Sequence, residues 1–329
     1  MKTLAIIGGG SWGTALSIVL APRFPNVRLW TFELDLAVRM AQSRVNDVYL
    51  PEVEIPKNVE VTSDLGAALE NADMVLSVVP SHHVRSIYQQ MLPYLTGQMV
   101  FVSATKGLEN GTLLRMSEVI RQVIGPRPIA VLSGPTFARE VARFEPTALV
   151  IASEDPELTA CAQAAFSGPT FRVYRSPDPI GVEIGGAIKN VVAIGAGVLH
   201  GMGLGHNALA ALITRGLAEM TRLAVAMGGQ PSTLSGLAGL GDLVLTCTGD
   251  LSRNRMVGME LARGRRLEEI VGSMPMVAEG IKTTNAVVDL AQRYRIEMPI
   301  AEQMFQMLHH GLSPRQAIQR LMERSLKGE

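Results

Sequence analysis

The sequence predicts an α/β fold, in which a doubly wound and mainly parallel sheet is followed by an all-α second domain. Short and nearly all-apolar runs alternate with helical stretches through the first half of the 329-residue chain, as strands buried on both faces do. The strand rhythm stops after the proline-rich segment 176–179, and only helical patterns follow. We therefore expect two domains, residues 1–179 and residues 180–329.

Eight strands are expected in the first domain and seven helices in the second. The expected strands cover residues 3–7, 27–30, 59–62, 74–79, 99–103, 129–133, 148–152 and 171–174. The expected helices cover residues 180–199, 208–227, 240–246, 254–262, 281–292, 301–308 and 314–323. In a doubly wound sheet, the ligand site lies at the carboxyl ends of the strands.

Composition and charge indicate a compact protein without a bulk attraction to nucleic acid or membrane. Hydrophobic residues make up 47% of the chain, and 30 Lys and Arg balance 30 Asp and Glu. No uninterrupted apolar stretch reaches the ~20 residues of a membrane span, and the apolar run after Lys2 is too short for a secretory signal. We expect a cytoplasmic protein whose two cysteines, Cys161 and Cys247, are buried reduced thiols.

Residues 8–13 read GGGSWG and stand between a strand pattern and a helical pattern. In that setting Gly8 allows a tight turn, Gly10 lets a phosphate approach the backbone, and Gly13 lets the helix pack on the strand. Glu33 lies 20 residues after Gly13, at the offset of the ribose-binding acid. The spacing predicts a Rossmann-type dinucleotide site. A glycine-rich turn in another kind of α/β protein is the alternative.

Lys106 stands just after the buried strand 99–103, where the cofactor crevice is expected. A lysine at this place supplies a fixed positive charge for a carbonyl oxygen or a phosphate. The alternative is a solvated loop lysine, although loops at strand ends carry a large share of functional residues.

Lys189 interrupts a strongly apolar helical pattern. Burial of the amine would lower its pKa toward neutrality, which suits an acid or base. Gly185, Gly186 and Ala193 share its helix face, so we expect room for a ligand there. Asn190 adds an amide donor and acceptor beside it. The alternative is a lysine that extends along a packed helix to reach water.

Two polar segments of the second half complete the candidate site. Asp242 and Thr246 are four residues apart and share one helix face, so Asp242 either holds an active-site lysine or caps the helix. Ser252 begins a helix as its expected N-cap, and Arg253 and Asn254 add donors suited to a phosphate. The alternative for this second segment is a capped surface helix with solvated arginines. The six histidines form no metal-binding pattern, and we expect no metal site.

Seven segments together resemble the bacterial-type NAD(P)-dependent glycerol-3-phosphate dehydrogenases. They follow that family's order through nearly the whole chain, and jointly they are far more specific than any one alone. They read GGGSWGTAL from Gly8, VVPSH from Val78, SATKGL from Ser103, LSGPTFARE from Leu132, GAIKNVVAIGAG from Gly186, GLGDLVLTCTGDLSRNR ending at Arg255, and VAEG from Val277.

The resemblance implies reversible hydride transfer between sn-glycerol 3-phosphate and a nicotinamide cofactor, which gives dihydroxyacetone phosphate. It also implies a homodimer, a role in supplying the glycerol backbone of phospholipids, and a catalytic set of Lys189 as proton acceptor with Lys106 and Asp242. The residues expected to contact the substrate are Lys106, Gly134, Thr136, Lys189, Asn190, Asp242, Thr246, Ser252, Arg253 and Asn254. The residues expected to contact the cofactor are Gly8, Gly10, Ser11, Trp12, Gly13, Phe32, Glu33, Lys106, Ala138, Arg253, Val277 and Glu279.

The segment WTFE at residues 30–33 departs from the basic residue that bacterial relatives often carry after the second strand. Glu33 favours a free ribose hydroxyl and repels a 2′-phosphate. We therefore expect NAD as the preferred cofactor. NADP stays possible because Arg28 and Arg39 are close enough in sequence to reach this region.

Two other functions also fit the sequence. One is a dehydrogenase of the same architecture that acts on a 3-hydroxy acid or a keto acid, which needs an arginine aimed at a carboxylate. The other is a non-catalytic, cofactor-sensing Rossmann protein. A sensor predicts lost lysines or an added DNA-binding module, whereas Lys106 and Lys189 are both present and no basic helix-turn-helix region is evident.

Overall fold

The computed structural model describes residues 1–274, 278–326 and 328, and its first half is built around a large sheet. The strands are β1 (Thr3–Ile7), β2 (Asn26–Trp30), β3 (Val45–Asn46), β4 (Leu50–Glu54), β5 (Val59–Thr62), β6 (Met74–Ser77), β7 (Val100–Ser103), β8 (Ile129–Ser133), β9 (Thr147–Ala152) and β10 (Phe171–Ser176). Eight of them pair in the order β10-β9-β8-β7-β6-β1-β2-β5, and β3 and β4 form a separate antiparallel hairpin.

The eight-stranded sheet is parallel except where β8 meets β9. The predicted doubly wound, mainly parallel sheet is thus confirmed. The chain order reverses at β1, which lies between β2 and β6. In open α/β sheets the ligand binds at such a reversal, outside the carboxyl ends of the strands.

Helices cover both faces of this sheet, and the pleat of β1 shows why. Leu4 and Ile6 pack into one hydrophobic cluster, while Ala5 and Ile7 pack into another on the opposite face. The helices of this half are α1 (Ser11–Leu20), α2 (Leu34–Ser43), α3 (Leu65–Leu69), α4 (Val84–Met91), α5 (Met116–Ile124), α6 (Ala138–Ala142) and α7 (Pro156–Phe166).

The second half is helical, as the sequence predicts. Its helices are α8 (Pro179–Gly201), α9 (His206–Ala226), α10 (Pro231–Leu234), α11 (Asp242–Thr248), α12 (Arg253–Ala262), α13 (Leu267–Gly272), α14 (Glu279–Tyr294), α15 (Pro299–His309) and α16 (Pro314–Met322). A single π-helical turn, Leu237–Gly241, leads into α11.

Helix α8 runs through the middle of this half and is buried almost throughout. Its length and apolar composition alone would suffice to cross a membrane, yet 94% of its most apolar window is buried inside the protein. The side chain of Asp178 caps its start by accepting a hydrogen bond of 2.8 Å from the Gly181 amide. A buried core helix accounts for this pattern.

Glycines let α8 and α12 approach very closely. A Cβ atom at Gly258 would lie 1.9 Å from the Ile194 carbonyl oxygen, and one at Gly197 would lie 1.9 Å from that of Arg255. No side chain fits at either position. The close approach sets Asn254 of α12 beside Asn190 of α8, where their side chains share a hydrogen bond of 2.9 Å.

Some expectations from the sequence are wrong in detail. Cys161 is exposed, because it lies on the outer face of α7, whereas Cys247 is buried as expected. The expected strand 74–79 ends at Ser77, since the chain turns there toward the cavity described below. The hairpin of β3 and β4 and the short helices α10 and α13 were not expected, because segments of two to six residues carry almost no periodicity.

Candidate active site

A cavity of about 940 Å³ lies where the carboxyl ends of β1, β2, β6, β7 and β8 face α8, α11 and α12. Both halves of the chain contribute to its wall. The predicted contact residues that line it are Gly8, Gly10, Ser11, Trp12, Phe32, Glu33, Lys106, Thr136, Ala138, Lys189, Asn190, Asp242, Thr246, Ser252, Arg253, Asn254 and Glu279. Gly13 and Gly134 are buried and do not line the cavity, and Val277 is outside the described residues.

The glycine-rich turn after β1 has the shape that a dinucleotide needs. Gly8 adopts a φ of +127°, and a Cβ atom there would lie 2.7 Å from the Val78 carbonyl oxygen. A Cβ atom at Gly13 would lie 1.8 Å from the Gly8 carbonyl oxygen, so the helix can pack on the turn only without one. A Cβ atom at Gly10 would meet no neighbouring atom within 4 Å, and Gly10 lines the cavity on this open side.

Helix α1 begins at this turn with its amides available. Gly10 is its N-cap and offers no side-chain cap, and no acidic residue stands in the first turn. Unsatisfied N–H groups and the positive end of the helix dipole favour a bound anion. The indole Nε1 of Trp12 is buried without a hydrogen-bond partner among the described residues. The donors around this end of the cavity fit the phosphates of a dinucleotide.

Lys189 projects from the middle of α8 and is only 6% exposed. Its Nζ donates to Oδ1 of Asp242 and, over 3.0 Å, to Oγ1 of Thr246. Burial lowers the pKa of Lys189 to about 7; the Asp242 carboxylate opposes this shift and the charge of Lys106 adds to it. An amine with this pKa can exchange a proton near neutral pH.

Lys106, which follows β7, is anchored on three sides. Its Nζ donates to the Gly134 carbonyl oxygen at 2.9 Å, to Oδ2 of Asp242 at 2.8 Å and to Oγ1 of Thr136 at 3.3 Å. The interpretation as a solvated loop lysine is therefore wrong. The three contacts match the three protons of a charged ammonium group.

The expectation that Gly185 and Gly186 leave room for a ligand is wrong, although a cavity does lie beside Lys189. A Cβ atom at Gly185 would lie 2.6 Å from the Ala238 carbonyl oxygen of the π-turn. At Gly186 it would lie 2.8 Å from Oγ of Ser133. Protein atoms fill the space over Gly185 and Gly186, so these two glycines serve close packing of α8, and the ligand space lies on the side where Lys189 and Asn190 line the cavity.

Asp242 bridges the two lysines from the start of α11. Its carboxylate is fully buried, with one oxygen bound to each ammonium group. The side chain therefore does not cap the helix, and the alternative of holding an active-site lysine fits the geometry. Thr246, one turn later, donates to the Asp242 carbonyl oxygen at 2.6 Å and so presents a lone pair to Lys189.

The start of α12 provides the second polar wall. Oγ of Ser252 accepts a hydrogen bond of 3.3 Å from the Arg255 amide, as the expected N-cap. Arg255 turns away to Asp250, at 2.9 Å, whereas Arg253 lines the cavity. Burial lowers the pKa of Arg253, and the charge of Glu279 counteracts this effect. A partly buried cation at a helix N-terminus is suited to an anionic group.

Glu279 joins α14 to the loop after β6. Its carboxylate accepts hydrogen bonds from the hydroxyl of Ser81 at 2.8 Å and from its amide at 3.3 Å. Burial raises the pKa of Glu279, and these donors oppose the shift. Asn254 likewise uses its carboxamide within the protein, since its Oδ1 accepts from the Gly280 amide at 3.0 Å.

Sequence reasoning missed part of the cavity wall. Tyr49 and Glu52 come from the hairpin of β3 and β4, Arg139 comes from α6, and His83 follows β6. Alternating side chains and the Asn46-Asp47 turn signal were the only hints of a hairpin here. A hairpin this short is recognised mainly from its tertiary contacts.

Comparison with known proteins identifies the family. Residues 3–159 match the N-terminal model of NAD-dependent glycerol-3-phosphate dehydrogenase, and residues 178–319 match its C-terminal model. A curated relative named Glycerol-3-phosphate dehydrogenase [NAD(P)+], from Koribacter versatilis, is 56% identical over 98% of each chain. This chain belongs to the NAD-dependent glycerol-3-phosphate dehydrogenase family.

Solved structures of the family agree with this fold. The glycerol-3-phosphate dehydrogenase of Coxiella burnetii superposes with a TM-score of 0.95 at 44% identity, covering 98% of this chain and 99% of that one. The enzyme GPD1 of Saccharomyces cerevisiae gives a TM-score of 0.83 at 26% identity over 98% and 99% of the two chains. The predicted family, an NAD(P)-dependent oxidoreductase acting on a small molecule, is confirmed.

Proposed function

We propose that this protein interconverts sn-glycerol 3-phosphate and dihydroxyacetone phosphate with NAD or NADP, and thereby supplies the glycerol backbone of phospholipids. The observation that carries the proposal is the buried amine of Lys189, which faces the same cavity as the glycine turn. An amine with a pKa of about 7 in a dinucleotide site is suited to exchange the hydroxyl proton of an alcohol.

A nicotinamide dinucleotide held at the glycine turn and the start of α1 would supply the hydride acceptor for oxidation at C2 of the substrate, and the hydride donor for reduction. Neutral Lys189 takes the proton of the C2 hydroxyl as the C2–H bond breaks and the carbonyl forms. In the reverse direction, the Lys189 ammonium group returns this proton to the oxygen. Hydride and proton together account for both hydrogens that the alcohol loses.

The two lysines differ in how many hydrogen-bonding positions on Nζ the protein leaves unoccupied. Within the described ranges, Lys189 has two protein acceptors, Asp242 and Thr246, so one position on its nitrogen is left for the substrate. Lys106 has three acceptors among the described residues, and together they occupy all three of its ammonium protons. We therefore assign proton transfer to Lys189. Asp242 positions that amine and raises its pKa, and the charge of Lys106 lowers its pKa.

The substrate phosphate fits the start of α12. Arg253 lines the cavity, and Ser252 and Asn254 flank it at the helix N-terminus. Binding of this remote phosphate orients the reacting carbon. The keto-acid and 3-hydroxy-acid alternatives also use an arginine, but family membership disfavours them and a series of substrates tests them directly.

The decisive measurement is the oxidation of NADH, and separately of NADPH, on adding dihydroxyacetone phosphate. We expect turnover with the phosphate ester and a loss of at least about 100-fold in kcat/KM with unphosphorylated dihydroxyacetone. Arg253→Ala should raise KM for the phosphate ester and leave KM for unphosphorylated dihydroxyacetone unchanged, so the two values of kcat/KM should come closer together. Faster turnover of a keto acid than of the ester would refute the proposal.

For the cofactor we propose a preference for NAD. Glu33 stands on the cavity wall between β2 and α2, where its carboxylate repels a 2′-phosphate. The two arginines that the sequence offers for a 2′-phosphate are engaged elsewhere: Arg28 with Glu60 at 3.5 Å, and Arg39 with Asp47 at 3.0 Å. Equal or higher kcat/KM with NADPH than with NADH would contradict this preference.

We also propose a cytoplasmic homodimer whose chain divides into residues 1–179 and 180–329. Free Cys161 and Cys247 are compatible with a reducing compartment. Exposed apolar side chains of the second half, among them Leu204 and Met256, offer a surface for a second copy. Light scattering during gel filtration would show two chains per particle if this is right, and one if it is wrong.

A further inference from the structure

Glu33 is held by two hydroxyl groups from different parts of the first half. Oγ1 of Thr31 donates to its Oε2 at 2.9 Å, and the phenol of Tyr49 donates to its Oε1 at 2.9 Å. Each carboxylate oxygen thus has one partner and keeps a second lone-pair site. Glu33 is otherwise an exposed side chain with free rotamers, so these two bonds define the plane of its carboxylate.

The donors themselves are fixed by the glycine-rich turn. Asn46 is fully buried, and its Nδ2 donates at 2.8 Å both to the Gly9 carbonyl oxygen and to Oγ1 of Thr14. Its Oδ1 accepts from the Tyr49 amide at 3.0 Å. The hairpin of β3 and β4 is thereby tied to the turn that a dinucleotide phosphate would approach.

Thr31 closes the arrangement on the other side. It is 1% exposed, and its Cβ lies 2.5 Å from where a Cβ atom of Gly9 would stand. Gly9, Asn46, Tyr49, Glu33 and Thr31 therefore form a closed ring of contacts, which we call the acid ring. Four of these residues line the cavity, and Asn46 supports them from behind.

We propose that Tyr49 and Thr31 are the positioning residues that make Glu33 discriminate NAD from NADP. The proposal rests on the function proposed above, because it concerns the cofactor of the same site. With both hydroxyls present, the free lone pairs of Glu33 are kept ready to accept from ribose hydroxyls, and its charge stays where a 2′-phosphate would bind. Without them, the exposed side chain rotates away and loses both effects.

Nucleotide binding tests this without any need for turnover. Calorimetry gives the dissociation constants of NADPH and NADH, and their ratio measures discrimination. We expect Tyr49→Phe and Thr31→Val each to lower this ratio by about tenfold, the worth of one hydrogen bond to a charged group. Thr31→Ser keeps the hydroxyl and should leave the ratio within about twofold of wild type. If Thr31 acted only through its methyl group, Thr31→Ser would lower the ratio instead.

Two further variants make the result specific. In a Glu33→Ala background, Tyr49→Phe should leave the ratio unchanged, because the residue acts only through Glu33. Tyr174→Phe removes a phenol from β10, away from the cavity, and should leave wild-type discrimination intact. Ratios within twofold of wild type for both Tyr49→Phe and Thr31→Val would overturn the proposal, as would an unchanged ratio for Glu33→Ala.

The outcome is separable from that of the proposed function. A wild-type protein that binds NADH more tightly than NADPH but never oxidises it with dihydroxyacetone phosphate would refute the reaction and leave the acid ring to be judged on binding alone. A protein that turns over the ester with an unaltered cofactor ratio in the variants would refute the acid ring only.

Discussion

At the scale of single residues, the chemistry depends on how one buried carboxylate is shared. Asp242 binds Lys189 and Lys106 with its two oxygens. Burial without a carboxylate partner would lower the pKa of an amine far below its usual value. An adjacent carboxylate favours the charged form and so raises the pKa again. Burial and the charge of Lys106 outweigh this carboxylate and leave the pKa of Lys189 at about 7.

Lys189→Ala should lower kcat by at least about 100-fold, because the site loses its proton acceptor. The dissociation constant of NADH should change little, since the glycine turn that binds the cofactor is untouched. Stopped-flow turnover and calorimetry on one preparation give both numbers. A kcat near that of wild type would exclude Lys189 from proton transfer.

The pH dependence should reverse between the two directions of the reaction. Oxidation needs the neutral amine, so its kcat should rise as the pH passes through about 7, whereas reduction needs the ammonium form and should fall. Asp242→Asn removes the group that raises the pKa of Lys189 and should move both limbs to lower pH. Lys106→Met removes a neighbouring positive charge and should move them to higher pH.

At the scale of elements, buried polar groups hold the starts of helices. Both oxygens of Glu219, on α9, accept hydrogen bonds from the first amides of α15, from Ile300 at 2.7 Å and Ala301 at 3.2 Å. Burial raises the pKa of Glu219 to about 7, although the two amides oppose the shift. The junction of α9 and α15 is therefore stabilised by a carboxyl group that titrates near neutral pH.

Glu219→Gln should change how stability responds to pH. The raised pKa means that the folded state binds the extra proton, so this stabilisation is present at low pH and is lost as the pH rises toward about 7. Between about pH 5.5 and about pH 7.5, the wild type should lose about 2 kcal/mol of unfolding free energy relative to the variant. Urea unfolding of both proteins at both pH values measures this difference. An equal change in unfolding free energy for the wild type and the variant would contradict the prediction.

At the scale of the whole molecule, a buried ion pair joins the sheet to the helical half. Glu183 of α8 accepts from Nη1 of Arg115 at 2.6 Å, and from the amide and hydroxyl of Ser117 at 2.8 and 2.7 Å. Glu183 lies six residues before Lys189 on the same helix. The helix that carries the amine is thus anchored to the start of α5, in the half that forms the glycine turn.

Arg115→Met should destabilise the protein by about 3 kcal/mol, because it leaves a buried carboxylate without its cation. Burial already raises the pKa of Glu183, so the loss should shrink at low pH as that group becomes neutral. The double variant with Glu183→Met removes both charges and should recover most of the stability. If the double variant is as unstable as the single one, the ion pair is not what joins the halves.

Much of the site is readable from local sequence, because its parts depend on short-range geometry. The turn at Gly8, the offset to Glu33 and the lysine within an apolar helical pattern all follow from the periods of strand and helix. The space beside Gly185 was misjudged for the opposite reason. Small residues on a helix face signal close approach, but local sequence cannot say whether a ligand or another segment comes close.

The sequence by itself determined the alternation of strands and helices, the dinucleotide turn and the candidates for proton transfer, since each is encoded within about 20 residues. Only the tertiary structure decided that Asp242, 53 residues from Lys189 and 136 from Lys106, binds both lysines. It also decided that Tyr49 reaches Glu33. Contacts between distant segments depend on how elements pack, and the apolar period of a segment shows which of its faces is buried without showing which distant segment covers that face.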